Sequence, residues 1–243
     1  MINITNLRGL ILKSTKIEEA IEFYETLWGL KKIDSNQGNS AFFEATGDEG
    51  FILGLVPDSQ RGIETIRFAL ESPEDVDNSF AELKASGQKL LDKPDKLPIP
   101  GEYYGFHLQD LDGTTIELST TTKTNKNKEK DPFAPQRLSH LVLNSPDNAA
   151  LKDFYIKCLG LKLADWYKND LFFFLRCNQQ HHVLGVENSD NSSLNHVAFH
   201  VEDLDAMMRR IGVMSNAGYE PLWGPGRHGP GDNCFCYFEG PDS

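Results

Sequence analysis

Histidine is the residue type in this sequence with the clearest capacity for chemistry, and it is unevenly distributed along the chain. Six of the seven histidines lie in the second half, at His140, His181, His182, His196, His200 and His228. A neutral imidazole binds divalent Fe, Mn, Zn or Ni, and it can also take up or release a proton near neutral pH. The imbalance indicates that the chemistry of the chain is concentrated in its second half.

The sequence also repeats itself at long range, which shows what positions these histidines. LRGLILKS from Leu7 recurs as LSHLVLNS from Leu138, and FYETLWGLK from Phe23 recurs as FYIKCLGLK from Phe154, both at an offset of 131 residues. A polar, Lys/Asn-rich stretch with two prolines separates the copies and has little apolar material to bury. We therefore predict domains at 1–120 and 137–243, joined by a linker at 121–136.

Each copy contains a shorter unit that occurs twice. An alternating strand-like run is followed by apolar residues at helical spacing and then by a glycine, Gly29 or Gly160, that is expected to end the helix. Three short strand candidates follow, and the pattern restarts at ETIRFAL and at LNHVAFHV. The sequence thus predicts an α+β fold of four βαβββ units in two tandem domains. Each domain is expected to be a cupped mixed sheet with its helices outside.

Composition limits the classes of protein that remain. The 243 residues are 39% hydrophobic and carry 36 acidic against 24 basic side chains, a formal net charge of −12. This charge disfavours nucleic-acid binding. We find no signal peptide and no apolar run long enough for a membrane span, and four cysteines are too few for a disulfide scaffold. The expected location is the cytoplasm.

His140 and His196 are the candidate metal ligands. Each lies on the first predicted strand of its unit, and symmetric pairing of the two units would let the imidazoles face one another across the cup. The corresponding residues in the first half are Gly9 and Thr65. The two halves are therefore expected to share a fold but not a chemistry. Either histidine alone could have a structural role. The occurrence of both at equivalent positions of the paired units favours a shared metal.

Two further patterns carry a family resemblance. CNQQHHVLGV contains His181 and His182, and in GPGRHGPGDNCFCYFEGPDS the residue His228 precedes Tyr237 by nine positions. Together with the βαβββ repeat, these patterns resemble the vicinal oxygen chelate superfamily, and the second half resembles the type I extradiol ring-cleaving catechol dioxygenases. Neighbours on a strand point to opposite faces. Of the adjacent histidines, the resemblance favours His182 as the one facing the cup and leaves His181 structural.

The resemblance implies a role for each of these residues. His140 and His196 would be two ligands of a facial triad of two histidines and one carboxylate, usually holding Fe(II) and sometimes Mn(II). Such a triad leaves room for a chelating catechol beside O2. His182 would be an acid/base group, and His228 and Tyr237 would orient the catecholate. The implied partners are a small aromatic diol and O2, the implied product is a muconic semialdehyde-type acid, and a homo-oligomer is compatible with the family.

The third ligand of that triad is expected on the last strand of the last unit. In the first half, DLDGTTIEL places Glu117 after Asp112, and FEGPDS contains Asp242 in the matching position. Shifting Glu117 by the 130 residues that separate the two aspartates predicts a glutamate at about position 247. The last unit is therefore expected to lack its final strand, and the triad its third ligand. We interpret the sequence as a truncated form of a longer dioxygenase, with activity that would depend on that ligand. Glu117 itself is interpreted as a vestige of duplication or a surface carboxylate.

Two other functions remain open from the sequence. One is a glyoxalase-like, metal-dependent lyase or isomerase with a second glutamate near the metal and no need for His182. The other is a non-catalytic module that holds a hydrophobic ligand in the cup. The identity of the catechol and the choice between proximal and distal cleavage depend on the pocket rather than on residue spacing.

Overall fold

The computed structural model describes residues 2–35, 37–121 and 131–242. The strands of the first half are β1 Asn6–Ser14, β2 Lys31–Ile33, β3 Ala41–Glu44, β4 Leu53–Pro57, β5 Gly62–Ala69, β6 Asp95–Lys96, β7 Tyr103–Gln109 and β8 Thr115–Thr121. Those of the second half are β9 Arg137–Ser145, β10 Lys162–Trp166, β11 Phe172–Arg176, β12 Leu184–Asn188, β13 Ser193–His200, β14 Trp223–Arg227 and β15 Cys234–Tyr237. The α-helices are α1 Ile17–Glu22, α2 Pro73–Ala85, α3 Asn148–Lys157 and α4 Leu204–Asn216. A π-helical segment, Phe23–Leu27, continues α1, and 3-10 turns lie at Lys168–Asp170 and Pro230–Asp232. Of the predicted linker, 122–130 lie outside the described residues.

The strands form mixed sheets in the predicted α+β arrangement. The first half contributes an eight-stranded sheet in the order β2-β3-β4-β1-β5-β8-β7-β6. The second half contributes a five-stranded sheet, β10-β11-β12-β9-β13, and a separate pair, β14-β15. The predicted fold class of tandem βαβββ units is confirmed.

The internal repeat appears directly in the strand register. Leu10 of β1 pairs with Leu53 of the parallel strand β4, and Leu141 of β9 pairs with Leu184 of the parallel strand β12. On the other side, β5 runs antiparallel to β1 as β13 runs antiparallel to β9. The two halves thus place equivalent residues at equivalent points of their sheets.

The helix boundaries follow the sequence signals. The Ser72 hydroxyl accepts a hydrogen bond from the Asp75 backbone N–H before α2, and the Asp203 carboxylate accepts one from Ala206 before α4. These contacts satisfy N–H groups that have no partner within the helix. Gly29 and Gly160 follow the first and third helical segments with φ of 70° and 77°, a left-handed conformation that glycine adopts without strain. None of the helices in the described ranges has both the length and the apolar character needed to cross a membrane.

The halves differ at one sheet edge. In the first half β8 pairs in parallel with β5 and antiparallel with β7, which joins the two units into one sheet. Among the residues that the structure describes, no strand takes the corresponding place between β13 and β15. A cleft of 1120 Å³ lies there instead, lined by residues of both strands. Accordingly the last five residues of β5 are buried, whereas those of β13 are half-buried.

The two halves pack through a buried polar contact. Tyr155 of α3 is fully buried, lies 6.5 Å (ring centroids) from Phe68 of β5, and donates a hydrogen bond of 3.0 Å to the Asp110 carboxylate. Burial raises the pKa of Asp110 to about 6, against the hydrogen bonds from Thr114 and Tyr155 that lower it. The folded chain therefore holds a proton on Asp110 at pH values where the unfolded chain does not.

Because of this difference, Asp110 makes the free energy of unfolding depend on pH, and Asp110→Asn should remove this contribution. Because the folded pKa is the higher one, Asp110 lowers the free energy of unfolding as the pH rises from about 4 to about 6. Two units of pKa correspond to about 3 kcal/mol at most. Urea unfolding at pH 4 and pH 7.5 should show the asparagine variant gaining stability relative to the parent at the higher pH. Asp190→Asn, which removes an exposed carboxylate, is the control; equal pH dependence in parent and Asp110→Asn would contradict the prediction.

Candidate metal centre and active site

His140 and His196 lie on adjacent strands and point to the same side of the sheet. In the antiparallel pair, His196 of β13 lies opposite Val142 and His140 of β9 lies opposite Ala198. The two histidines are thus diagonal neighbours, close enough for long side chains to meet. Their Nε2 atoms are 3.4 Å apart and their rings are nearly perpendicular, at 83°. The structure brings together the two residues predicted as metal ligands.

Each of these imidazoles is oriented by the polar residue that precedes it. His196 Nδ1 lies 2.8 Å from the Asn195 side-chain oxygen, and His140 Nδ1 lies 3.2 Å from the Ser139 hydroxyl. An amide oxygen only accepts, so the His196 Nδ1–H donates to it and leaves a lone pair on Nε2. A partner on one ring nitrogen that fixes the tautomer and aims the other nitrogen is the usual support of a histidine metal ligand. Sequence reasoning missed Ser139 and Asn195, although both stand directly before a candidate ligand.

Burial keeps both imidazoles neutral. His140 is 7% exposed, and burial together with the neighbouring histidines holds its pKa well below the ordinary value. Burial lowers the pKa of His196 to about 4, with a smaller contribution from His228. Metal ions require deprotonated ligands, so these shifts favour binding at neutral pH.

The described side chains supply two of the ligands that a divalent metal would need. Two neutral imidazoles with converging Nε2 atoms suit Fe(II), Mn(II) or Zn(II). Within the described residues, however, no group of three or more His, Cys, Asp or Glu side chains is arranged to hold an ion. His140 and His196 would therefore hold the metal, and the carboxylate that the family resemblance implies is not among the described residues.

His182 lies beside this pair, but not on a strand as the sequence suggested. It belongs to the loop between β11 and β12, and its ring centroid is 4.3 Å from that of His140. The prediction that His181 and His182 point to opposite faces is wrong, because a loop does not impose the alternation of a strand; their Nδ1 atoms are 2.9 Å apart. Burial, and then His181, lowers the pKa of His182 to about 3.

Tyr237 and His228 meet on the far side of the cleft. The turn of the β14-β15 hairpin lies between them and brings His228 Nε2 to 3.1 Å from the Tyr237 hydroxyl. The Tyr237 ring is 5.0 Å from the His196 ring. Burial raises the pKa of Tyr237 to about 12, so its hydroxyl remains a hydrogen-bond donor at neutral pH.

Aromatic side chains hold this second pair in place. Trp223 stacks on Tyr237 with ring centroids 5.3 Å apart, and Phe235 stacks on His228 at 3.8 Å. Trp223 and Phe235 are themselves 4.4 Å apart. Alternation along the strand predicts from the sequence that Phe235 and Tyr237 lie on the same face. The position of Trp223 depends on the register of the hairpin, which the sequence does not predict.

The equivalent site of the first half has different chemistry. Gly9 stands in place of His140, and a Cβ there would come 2.9 Å from the Ile52 carbonyl oxygen. Glu117 is fully buried, so its interpretation as a surface carboxylate is wrong. Its Oε2 accepts a hydrogen bond of 2.8 Å from Nε of the equally buried Arg67. A guanidinium is thus the cation that the Glu117 carboxylate holds in this half.

Two tandem cupped sheets, one of them with paired histidines on adjacent strands, define a protein of the vicinal oxygen chelate type. Residues 11–118 and 137–243 each match the Glyoxalase/Bleomycin resistance protein/Dioxygenase superfamily. The chain belongs to this superfamily, and the resemblance seen in its sequence is confirmed.

Three similar proteins show how the chain relates to that superfamily. The Mn(II)-bound glyoxalase from Novosphingobium aromaticivorans superposes with a TM-score of 0.92 at 32% identity, over 99% of this chain and 80% of that one. Metapyrocatechase 2 from Cupriavidus necator is 29% identical over 178 residues, 64% of this chain but only 54% of that protein. The manganese-dependent 2,3-dihydroxybiphenyl 1,2-dioxygenase from Geobacillus genomosp. 3 is 22% identical over 96% of this chain and 80% of its own length. This chain therefore spans about half of the metapyrocatechase and most of the other two.

Proposed function

We propose that this protein is a metal-dependent extradiol dioxygenase that cleaves a catechol-type ring with O2. The observation that carries the proposal is the convergence of the His140 and His196 Nε2 atoms at 3.4 Å, with the His182 and Tyr237 rings within 5.0 Å of this pair. Two of the similar proteins are named as a metapyrocatechase and a dihydroxybiphenyl dioxygenase, which supports the same reaction class.

In this proposal His140 and His196 hold Fe(II) or Mn(II) together with a carboxylate. The manganese in the names of two similar proteins supports Mn(II) as well as the Fe(II) expected from the resemblance. A bound divalent ion would hold a catechol and O2 next to each other and lower the pKa of the catechol hydroxyls. In this proposal residues 137–243 bind the metal and residues 1–120 do not.

The remaining residues act on the substrate. His182 is neutral at pH 7 and takes a proton from the catechol hydroxyl; an anionic catecholate beside it would raise the imidazole pKa and favour that transfer. The Tyr237 hydroxyl donates to a catecholate oxygen, and His228 holds that hydroxyl in position at 3.1 Å. The cleft between β13 and β15 gives the ring access, and the apolar side chains around it favour a neutral aromatic diol.

Oxygen uptake with a catechol, after anaerobic loading with Fe(II) or Mn(II), tests this function. We would measure the protein itself and a version in which Asp242 is followed by GTTIELSTT, the closing sequence that follows Asp112 in the first half. The extended version supplies a carboxylate and a strand beside β13, and it is expected to consume O2 and form a yellow ring-opened product. His182→Ala in that version should lower turnover by about 10²–10⁴-fold, as is typical for loss of an acid/base group.

The control for that variant is His107→Ala, which removes a histidine that binds Asp92 in the first half, far along the chain from the metal pair. It should leave turnover unchanged. An extended version that binds one metal ion per chain yet consumes no O2 with any catechol would overturn the proposal. A second extended version has glutamine in place of the added glutamate. It keeps the added strand but lacks the carboxylate, so it separates metal binding by the glutamate from stabilisation of the fold by the strand.

A glyoxalase-like, metal-dependent lyase or isomerase is the second candidate. It is favoured by the 32% identity and the TM-score of 0.92 to a glyoxalase that binds Mn(II). Such an enzyme needs neither O2 nor His182. Metal-dependent turnover under anaerobic conditions that survives His182→Ala would establish it in place of the dioxygenase.

A further inference from the structure

His181 makes two contacts that connect His182 to the protein surface. Its Nδ1 lies 2.9 Å from His182 Nδ1, and its Nε2 lies 3.7 Å from the Asp165 carboxylate. The side chains of His181 and Asp165 are 29% and 45% exposed, whereas His182 lies deeper, against His140 and Phe174. The three residues therefore form a chain of contacts from the cup to solvent.

The position of one hydrogen follows from these contacts. Two ring nitrogens 2.9 Å apart share a single hydrogen, so one Nδ1 donates and the other accepts. A carboxylate beside His181 Nε2 stabilises the tautomer with the hydrogen on that nitrogen, which leaves His181 Nδ1 as an acceptor. His182 then carries its hydrogen on Nδ1 and a lone pair on Nε2.

We propose that His181, with the Asp165 carboxylate beside it, is a positioning residue that fixes His182 in the tautomer with its hydrogen on Nδ1 and a lone pair on Nε2. The inference rests on the proposed function for the role of His182, but not for the tautomer itself. This role was not predictable from the sequence, because it depends on a loop that turns two adjacent side chains toward each other.

The loop of the β14-β15 hairpin covers the contact between the two histidines. A Cβ at Gly231 would lie 3.1 Å from His181 Nδ1, so a side chain at this position would press against the His181 ring. Gly231 also has a φ of 77°, which glycine adopts without strain. The same loop begins at His228, so the hydrogen bond between the histidines is shielded by the segment that would contact the substrate.

The test is the tautomer of His182, read from long-range ¹H–¹⁵N spectra of the metal-free protein at pH 7.5 with ¹⁵N-labelled histidine. The parent should show His182 protonated at Nδ1 as the dominant form. In His181→Phe, the Nδ1-protonated form of His182 should no longer dominate, and a mixture or the Nε2-protonated form should appear. Asp165→Asn should shift the two populations in the same direction. His107→Phe, which removes a histidine bound to Asp92 in the first half, should leave the His182 signals unchanged.

Protonation of His182 at Nε2 in the parent, or an unchanged Nδ1-protonated form in His181→Phe, would overturn the proposal. Because the spectra are recorded without metal or substrate, their outcome does not depend on whether the protein cleaves catechols. Failure of the proposed function would appear instead as metal-loaded protein without O2 uptake. The two failures are therefore distinguishable.

Discussion

Replacement of Glu117 by glutamine is expected to lower the free energy of unfolding by about 3 to 5 kcal/mol, the usual cost of removing one partner from a buried ion pair. Arg67 and Glu117 have side chains 0% and 1% exposed, and the Arg67 guanidinium lies over the Phe51 and Tyr103 rings at 4.0 and 4.5 Å. Burial alone would raise the pKa of Glu117, but Arg67 and Ser119 hold it below the ordinary value. Without the Glu117 carboxylate, the buried guanidinium loses its hydrogen-bonded counter-charge and keeps the Phe51 and Tyr103 faces and the charge of Glu49 as support.

A paired substitution separates charge from packing in this experiment. Arg67→Met together with Glu117→Leu replaces both partners by apolar side chains of similar size, and such exchanges are often neutral or stabilising. Chemical denaturation should therefore show most of the stability lost in Glu117→Gln restored in the double variant. A double variant as unstable as the single one would mean that the ion pair is net stabilising, contrary to this account.

In the proposed function, the ion pair of the first half takes the place that the metal has in the second half. In the second half two neutral imidazoles converge from β9 and β13, and a bound cation would accept a lone pair from each of them. In the first half the equivalent positions are Gly9 and Thr65, and the carboxylate of β8 is already neutralised by Arg67. One duplicated scaffold thus keeps a cation in each cup, an arginine side chain in one and, in the proposed function, a metal ion in the other.

The fold and the position of the histidine pair could be predicted because they depend on periodic features. The 131-residue offset, the helix-ending glycines and the alternation along β9 and β13 determine which residues are equivalent and which face they share. Alternation is imposed by backbone geometry, so His140 and His196 could be placed on one face without knowledge of their neighbours. The contact of His196 with Asn195 could not be predicted on these grounds. Alternation places neighbouring residues on opposite faces, and the strand register is interrupted between Leu194 and His196.

The features that sequence reasoning could not supply arise where no periodicity applies. His181 and His182 occupy a loop, and the meeting of their Nδ1 atoms depends on backbone angles that neighbouring residues do not determine. The burial of Glu117 depends on Arg67, 50 positions earlier in the chain, through the parallel pairing of β5 with β8. Trp223 reaches Tyr237 only through the register of the last hairpin. Each of these is a contact between segments whose relative placement the tertiary fold decides.

The largest effect on metal binding is expected from His196→Ala, which should weaken Mn(II) binding by more than about 100-fold. Truncation of a supporting residue typically costs about 10- to 100-fold in metal affinity, and loss of a direct ligand costs more. Asn195→Ala, which removes the acceptor 2.8 Å from His196 Nδ1, should therefore fall between the parent and His196→Ala. The affinity is measured from the free Mn(II) signal in electron paramagnetic resonance titrations, with Fe(II) tested anaerobically by calorimetry.

His200→Ala is the matched control, because His200 lies on the same strand as His196 and is half-buried but pairs with Arg137 at the far end of β13. It should bind Mn(II) like the parent. Since burial holds the pKa of His196 at about 4, protons should begin to displace the metal only below about pH 5, whereas binding to surface histidines would already weaken near pH 6.5. Equal loss of affinity in His196→Ala and His200→Ala, or a midpoint near pH 6.5, would place the metal elsewhere than between His140 and His196. The ordered series from parent through Asn195→Ala to His196→Ala is the pattern that only direct ligation by His196, supported by Asn195, produces.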